Sequence, residues 1–213
     1  MAILFRALSR VLSCIFALAF VLAAGGCDRL GLGDGQASGA PAKIAFENAD
    51  VTGLDYAKDF ALPDFNGKMR TLADFKGKAV VVFFGYTQCP DVCPTTMAEL
   101  AAAMKQLGPL ADRVQVLFIT LDPERDTPAV LSQYVPAFDS RFLGHVGDKA
   151  QTEKVAKEFK VYYQKVPGKA PGSYTLDHSA GSFVFDPQGR LRLFMRYGQG
   201  PGPIVHDLKL LLS

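Results

Sequence analysis

The chain has 213 residues, 49% hydrophobic and 21% charged, with 4 Cys, 3 His, no Trp and a formal net charge of +2. That charge density excludes a multi-span membrane protein, the apolar content excludes a disordered chain, and four cysteines are too few for a disulfide scaffold. Arg6 and Arg10 are the only charges in residues 1–26, so the remainder balances at 21 basic against 21 acidic residues and gives no electrostatic reason for a nucleic-acid partner.

Read from the N-terminus, the chain opens on an address. Arg6 and Arg10 precede sixteen uncharged residues, Val11 to Gly26, that end in small residues before Cys27, the pattern of an export signal over 1–26. The run is shorter than the ~20 apolar residues that span a hydrocarbon core comfortably. Ala-Gly-Gly-Cys resembles a bacterial lipobox, with Ala24 where Leu is usual, and makes Cys27 the candidate for lipidation. An uncleaved anchor and soluble export are the alternatives. Asp28 after a lipidated Cys resembles an inner-membrane retention signal, and Cys14 reads as a small hydrophobe inside the apolar run. Residues 27–43, rich in Gly with Pro41 and Ser38, read as a flexible tether with a reach of about 20–25 Å. The expected placement is a bacterial cell membrane, anchored through the N-terminus, with the domain on the periplasmic or extracytoplasmic side.

Residues 44–213 read as one α/β domain. Phe60 to Phe65, Asn66-Gly67 and Arg70 to Phe75 predict a hairpin at its start. Val80 to Gly85 is a continuous β-branched and aromatic run, the mark of a strand buried on both faces, and Val114 to Leu121 is a second. Thr95 to Leu107 predicts a helix with Thr96 and Glu99 in capping-box spacing, ended by Gly108-Pro109. Thr127-Pro128 opens a helix reaching about Phe138. Phe142 to Val146 predicts a short strand, Ala150 to Lys160 a third helix, and Val161 to Val166 another short strand. Ser182 to Asp186 and Arg190 to Arg196 predict a hairpin around Asp186-Pro-Gln-Gly189, and Ile204 to Leu212 a closing helix. This order is that of a thioredoxin-like central sheet flanked by helices, with an N-terminal hairpin and insertions.

Cys89 and Cys93 fall where a buried strand hands over to a helix, the place where open α/β sheets put their sites. Pro follows each, and it stiffens the backbone before it, so both should lie in a loop or on the first helical turn. That spacing serves either a disulfide pair or a shared ion. Ala79 to Met104 contains no Lys, Arg or His, so nothing local strongly activates a thiol, whereas a bound cation would supply the missing charge. Two thiolates favour a soft ion, Cu(I) or Zn(II), and a third ligand must then come from a histidine. His145 lies in a predicted strand and His206 on the polar face of the last helix, both structural or surface positions. His178, in a loop just before Ser182, is either a ligand or a loop histidine.

Gly85-Tyr-Thr-Gln-Cys-Pro-Asp-Val-Cys-Pro-Thr-Thr96, Leu121-Asp-Pro-Glu-Arg-Asp-Thr-Pro128 and Asp177-His178-Ser179 together resemble the Sco/SenC family of copper-binding proteins. The resemblance implies that Cys89, Cys93 and His178 bind one copper, as Cu(I) or Cu(II), in a thioredoxin-like domain. It implies a metallochaperone that supplies copper to the CuA-bearing subunit of cytochrome c oxidase, with other extracytoplasmic copper chaperones as possible partners. A thiol-disulfide oxidoreductase that reduces the CuA-site cysteines, with Cys89 and Cys93 as its redox pair, and a copper or redox sensor are the alternatives. Asp122 is either a supporting group behind the ligands or a turn start, and Asp177 either orients the His178 ring or is solvated.

Overall fold

The computed structural model describes residues 45–213. The export signal, Cys14, the lipidation candidate Cys27, Asp28 and the tether over 27–43 lie outside the described residues. In chain order the strands are β1 (Ala49–Asp50), β2 (Leu62–Pro63), β3 (Met69–Arg70), β4 (Ala79–Gly85), β5 (Val114–Thr120), β6 (Leu143–His145), β7 (Tyr163–Pro167), β8 (Tyr174–His178), β9 (Ser182–Phe185) and β10 (Leu191–Met195). The α-helices are α1 (Val92–Leu107), α2 (Pro128–Tyr134), α3 (Lys149–Glu158) and α4 (Pro201–Leu212).

The main sheet runs β1-β10-β9-β4-β5-β6, with β4, β5 and β6 parallel and β9, β10 and β1 antiparallel to their neighbours. This is the thioredoxin-like architecture expected from the order of elements. Strand β4 is paired on both edges and every one of its residues is buried, which is why its sequence is an unbroken apolar run rather than an alternating one. Alternation still sorts its side chains between two faces. Phe84 meets Phe159 and Phe183 edge-on, at 5.1 and 6.1 Å between ring centroids. Phe83 and Gly85 point the other way, toward Phe118 and Cys93.

Helix α1 begins at Val92, a turn earlier than its sequence predicts, and the Thr96–Glu99 capping box does not form. Pro94 is only the third helical residue, where its missing N–H has no partner to lose. Thr96 is instead inside the helix, with its hydroxyl donating to the Val92 carbonyl at 2.8 Å. Thr127 does cap α2, accepting from the Val130 N–H at 3.3 Å.

Helix α4 likewise begins three residues early, at Pro201 instead of Ile204, and two further elements differ from expectation. The second arm of the N-terminal hairpin is only Met69–Arg70, because Leu72–Phe75 coils into a 3-10 turn whose Asp74 carboxylate accepts the Thr71 N–H at 2.8 Å. The strand at Tyr163–Pro167 pairs with Tyr174–His178 in a separate two-stranded sheet, so His178 ends a strand and does not sit in a loop. The turn between them closes through Gly168 and Ser173, whose backbones bond at 2.8 Å, with Gly172 at φ +77° where other residues would be strained. Among the described residues no helix is long and apolar enough to cross a membrane.

Candidate metal centre

The buried stripe of α1 is Cys93, Met97, Leu100, Met104 and Leu107, recurring at helical spacing. Cys93 is its first member, so the same packing that seats the helix on the sheet drives this sulfur into the core. Gly85 makes the room: a Cβ there would stand 2.9 Å from the Cys93 Sγ. Cys89 lies in the loop one turn upstream, half-buried, and its Sγ accepts the Cys93 backbone N–H at 3.4 Å. Its sulfur thus takes up one of the donors that a helix N-terminus leaves free.

His178 arrives from the end of β8. Its Nε2 lies 3.5 Å from the Cys93 Sγ, and its ring stands edge-on to Phe83 and Tyr86, at 6.4 and 6.0 Å between centroids. On the far side, Nδ1 lies 2.9 Å from the Ser179 carbonyl. A carbonyl only accepts, so Nδ1 carries the ring proton and the Nε2 lone pair faces the sulfurs. One ligand atom from each of Cys89, Cys93 and His178 lies within 4.8 Å of the others, a spacing that one ion can bridge. Two sulfurs and one imidazole nitrogen suit a soft metal, and three donors leave a coordination position open.

Burial dominates the electrostatics. It pushes the Cys93 thiol well above the ordinary thiol range, with Cys89 and Asp126 adding to the shift. Burial also lowers the His178 pKa, which keeps the ring neutral and available as a ligand. Cys89 and His178 line an open cleft of about 360 Å³ together with Tyr86, Pro90 and Asp177, so the site meets solvent on one side. A larger cleft of about 980 Å³, along Tyr56, Phe60, Met69 and Val155, contains neither cysteine.

A family model for SCO1/SenC matches residues 49–213. The chain belongs to the SCO1/SenC family. It is similar to the mitochondrial SCO2 homolog of Bos taurus, 41% identical over 133 residues that cover 62% of this chain and 50% of that one. The chain therefore spans half the length of that curated relative. Among solved structures it is similar to Bradyrhizobium japonicum ScoI with copper bound, at 43% identity and TM-score 0.67, covering 72% of this chain and 98% of that one. It is also similar to apo Sco1 from Thermus thermophilus, at 40% identity and TM-score 0.71, covering 79% and 98%.

The other candidate residues of this SCO1/SenC domain separate by contact. Asp122 is buried at the end of β5, where its carboxylate takes the Tyr174 hydroxyl at 2.7 Å and the Arg125 guanidinium. Asp177 is exposed, and the Ser179 carbonyl, not Asp177, holds the His178 ring. His145 is fully buried in β6 and His206 sits on α4 beside Asp207, both away from the sulfurs as expected. Sequence reasoning missed Arg125, Asp126 and Thr87. Their bonds join segments far apart in the chain, and the signal was their place in the two family-like motifs, Gly85 to Thr96 and Leu121 to Pro128.

Proposed function

We propose that this domain binds one copper ion between Cys89, Cys93 and His178 and serves as a copper metallochaperone for the CuA-bearing subunit of cytochrome c oxidase. The observation that carries it is the convergence of two thiol sulfurs and a preoriented imidazole nitrogen within 4.8 Å at the mouth of an open cleft. A similar protein has been solved with copper bound, and membership of the SCO1/SenC family supports the same cargo here. Three donors hold the ion, and the open side admits an incoming thiolate that takes it by exchange. The export signal and Cys27 support a domain held at the outer face of a bacterial membrane, within reach of a membrane-embedded oxidase.

A second reading is favoured by the same two thiols. Cys89 and Cys93 are both free and adjacent, with Cys89 the accessible sulfur, so the pair can pass two electrons to a target disulfide and become a disulfide itself. Titrating reduced protein with copper tells the two apart. The expected result is one ion per domain and a Cu(II) affinity that falls more than about 100-fold in His178→Ala, since even outer partners of a metal ligand are worth 10- to 100-fold. Lost copper binding in that variant with full restoration of CuA in cells lacking the native protein would move the function to the reductase, whereas unchanged copper binding would remove His178 from the ligand set.

A further inference from the structure

We infer that Arg125 is a positioning residue for the metal centre, fastening the strand pair that carries His178 to the loop that carries Cys89; this rests on the ligand set proposed above. Strands β7 and β8 form no ladder with the main sheet, so apart from the short link from His178 to Ser182 of β9, side-chain contacts set where His178 sits. The segment Asp122–Asp126, leaving the C-terminal end of β5, reaches both halves of the site. Toward the cysteines, the fully buried Asp126 accepts the Thr87 N–H at 3.0 Å and the Thr87 and Thr120 hydroxyls at 2.6 and 2.5 Å. Toward the histidine, Asp122 accepts the Tyr174 hydroxyl at 2.7 Å, at the first residue of β8.

Arg125 alone in this segment bonds to both sides. Its Nη1 donates to the Gln88 side chain at 3.0 Å, next to Cys89, and to the Tyr174 carbonyl at 2.9 Å, while Nε is paired with Asp122. The guanidinium also lies 3.7 Å over the Tyr174 ring and 5.7 Å from the centre of Tyr86, the ring that flanks His178. A planar fork that bonds three partners and stacks on aromatic rings is chemistry that lysine does not reproduce. With Arg125 removed, the cysteine loop keeps its Asp126 bonds, but the bond from Gln88 to Tyr174 through one side chain is gone. The two halves are then joined only through Asp122 and Asp126, and the Nε2 of His178 is held less closely to its distance from the sulfurs.

The test compares Cu(II) and Cu(I) affinity and the Cu(II)–thiolate absorption and EPR spectra in Arg125→Gln, alone and combined with His178→Ala. Arg125→Gln is expected to weaken Cu(II) by about 10- to 100-fold and to shift the spectra, as outer partners of a ligand do. Cu(I), held by the two sulfurs, is expected to change by less than about threefold. On a His178→Ala background Arg125→Gln should cost less than about twofold, because the two act on one interaction. A wild-type Cu(II) affinity and spectrum in Arg125→Gln, or the same loss with and without His178, would overturn the inference. Unchanged Cu(II) binding in His178→Ala would overturn the ligand set and this inference together, whereas a loss there with none in Arg125→Gln overturns this inference alone. Should Arg125→Gln fail to fold, Gln88→Met keeps the guanidinium and removes its bond to the cysteine loop, and Tyr174→Phe removes the hydroxyl bond to Asp122 while leaving the Tyr174 carbonyl to Arg125. A combined loss of about 3- to 10-fold in Cu(II) affinity is expected, and no loss would overturn the inference.

Discussion

The metal centre draws its sulfurs and its imidazole from two unlike parts of the molecule. Cys93 is delivered by α1 and backed by β4, a strand buried along its whole length and paired on both edges. His178 is delivered by β8, of whose five residues only Leu176 is buried, in a two-stranded sheet apart from the main one. Two strands alone are marginal in water, whereas a central strand of a six-stranded sheet shares the stability of the whole fold. The Cys93 sulfur is therefore fixed by the core and the nitrogen by local side-chain bonds. Such a division lets one ligand yield while the others keep the ion.

Four measurements break or sharpen that contrast, the largest effect first. Amide hydrogen exchange should find Val81 to Phe84 protected near the global stability, and Thr175 to Asp177 exchanging about a thousandfold faster or more; equal protection would remove the contrast. Replacing Cys93 by Ala takes a ligand from the rigid half and should lower Cu(I) affinity by more than about 100-fold in a competition titration, beyond the loss of any outer partner.

Acid should strike the rigid half through His145. Burial pushes its pKa down to about 4, below the ordinary 6.5, so the unfolded chain takes up this proton before the folded one does. Stability from this residue is intact above pH 6.5, falls as the pH drops toward 4, and levels off below, by about 3 kcal/mol in all. Chemical denaturation from pH 7 to pH 4 should show that slope in the wild type and a flatter one in His145→Phe. Smallest, Gly85→Ala places a Cβ 2.9 Å from the Cys93 sulfur and should cost about 1–3 kcal/mol, read from the denaturation midpoint. A neutral result there would mean that the sulfur is not tightly seated.

The same contrast separates what the sequence disclosed from what it concealed. Val80 to Gly85 could be read at once, because a strand buried on both faces writes an unbroken apolar run, and Cys89 and Cys93 follow it directly. Of the β7–β8 pair only the first arm could be read, as the short strand Val161 to Val166. In β8 only Leu176 is buried, so neither apolar alternation nor a core run marks it, and His178 looked like part of a loop. The early start of α1 was hidden by Pro94, a residue that breaks helices everywhere except in their first turn. Arg125 was concealed for another reason: its partners Gln88 and Tyr174 lie 37 and 49 residues away, and no local pattern records a bond over that distance.

The carbonyl of Ser179 has a consequence for proton traffic. By holding the ring proton on Nδ1 it leaves Nε2 bare before any metal arrives, and burial makes a second proton harder to add. Cys93, by contrast, keeps its proton until an ion displaces it. Capture of a metal cation therefore expels a proton from the core sulfur and none from the histidine. Each proton so displaced makes the affinity rise about tenfold per pH unit. A domain facing an acidified compartment would thus release its ion more readily, as the core thiol takes its proton back.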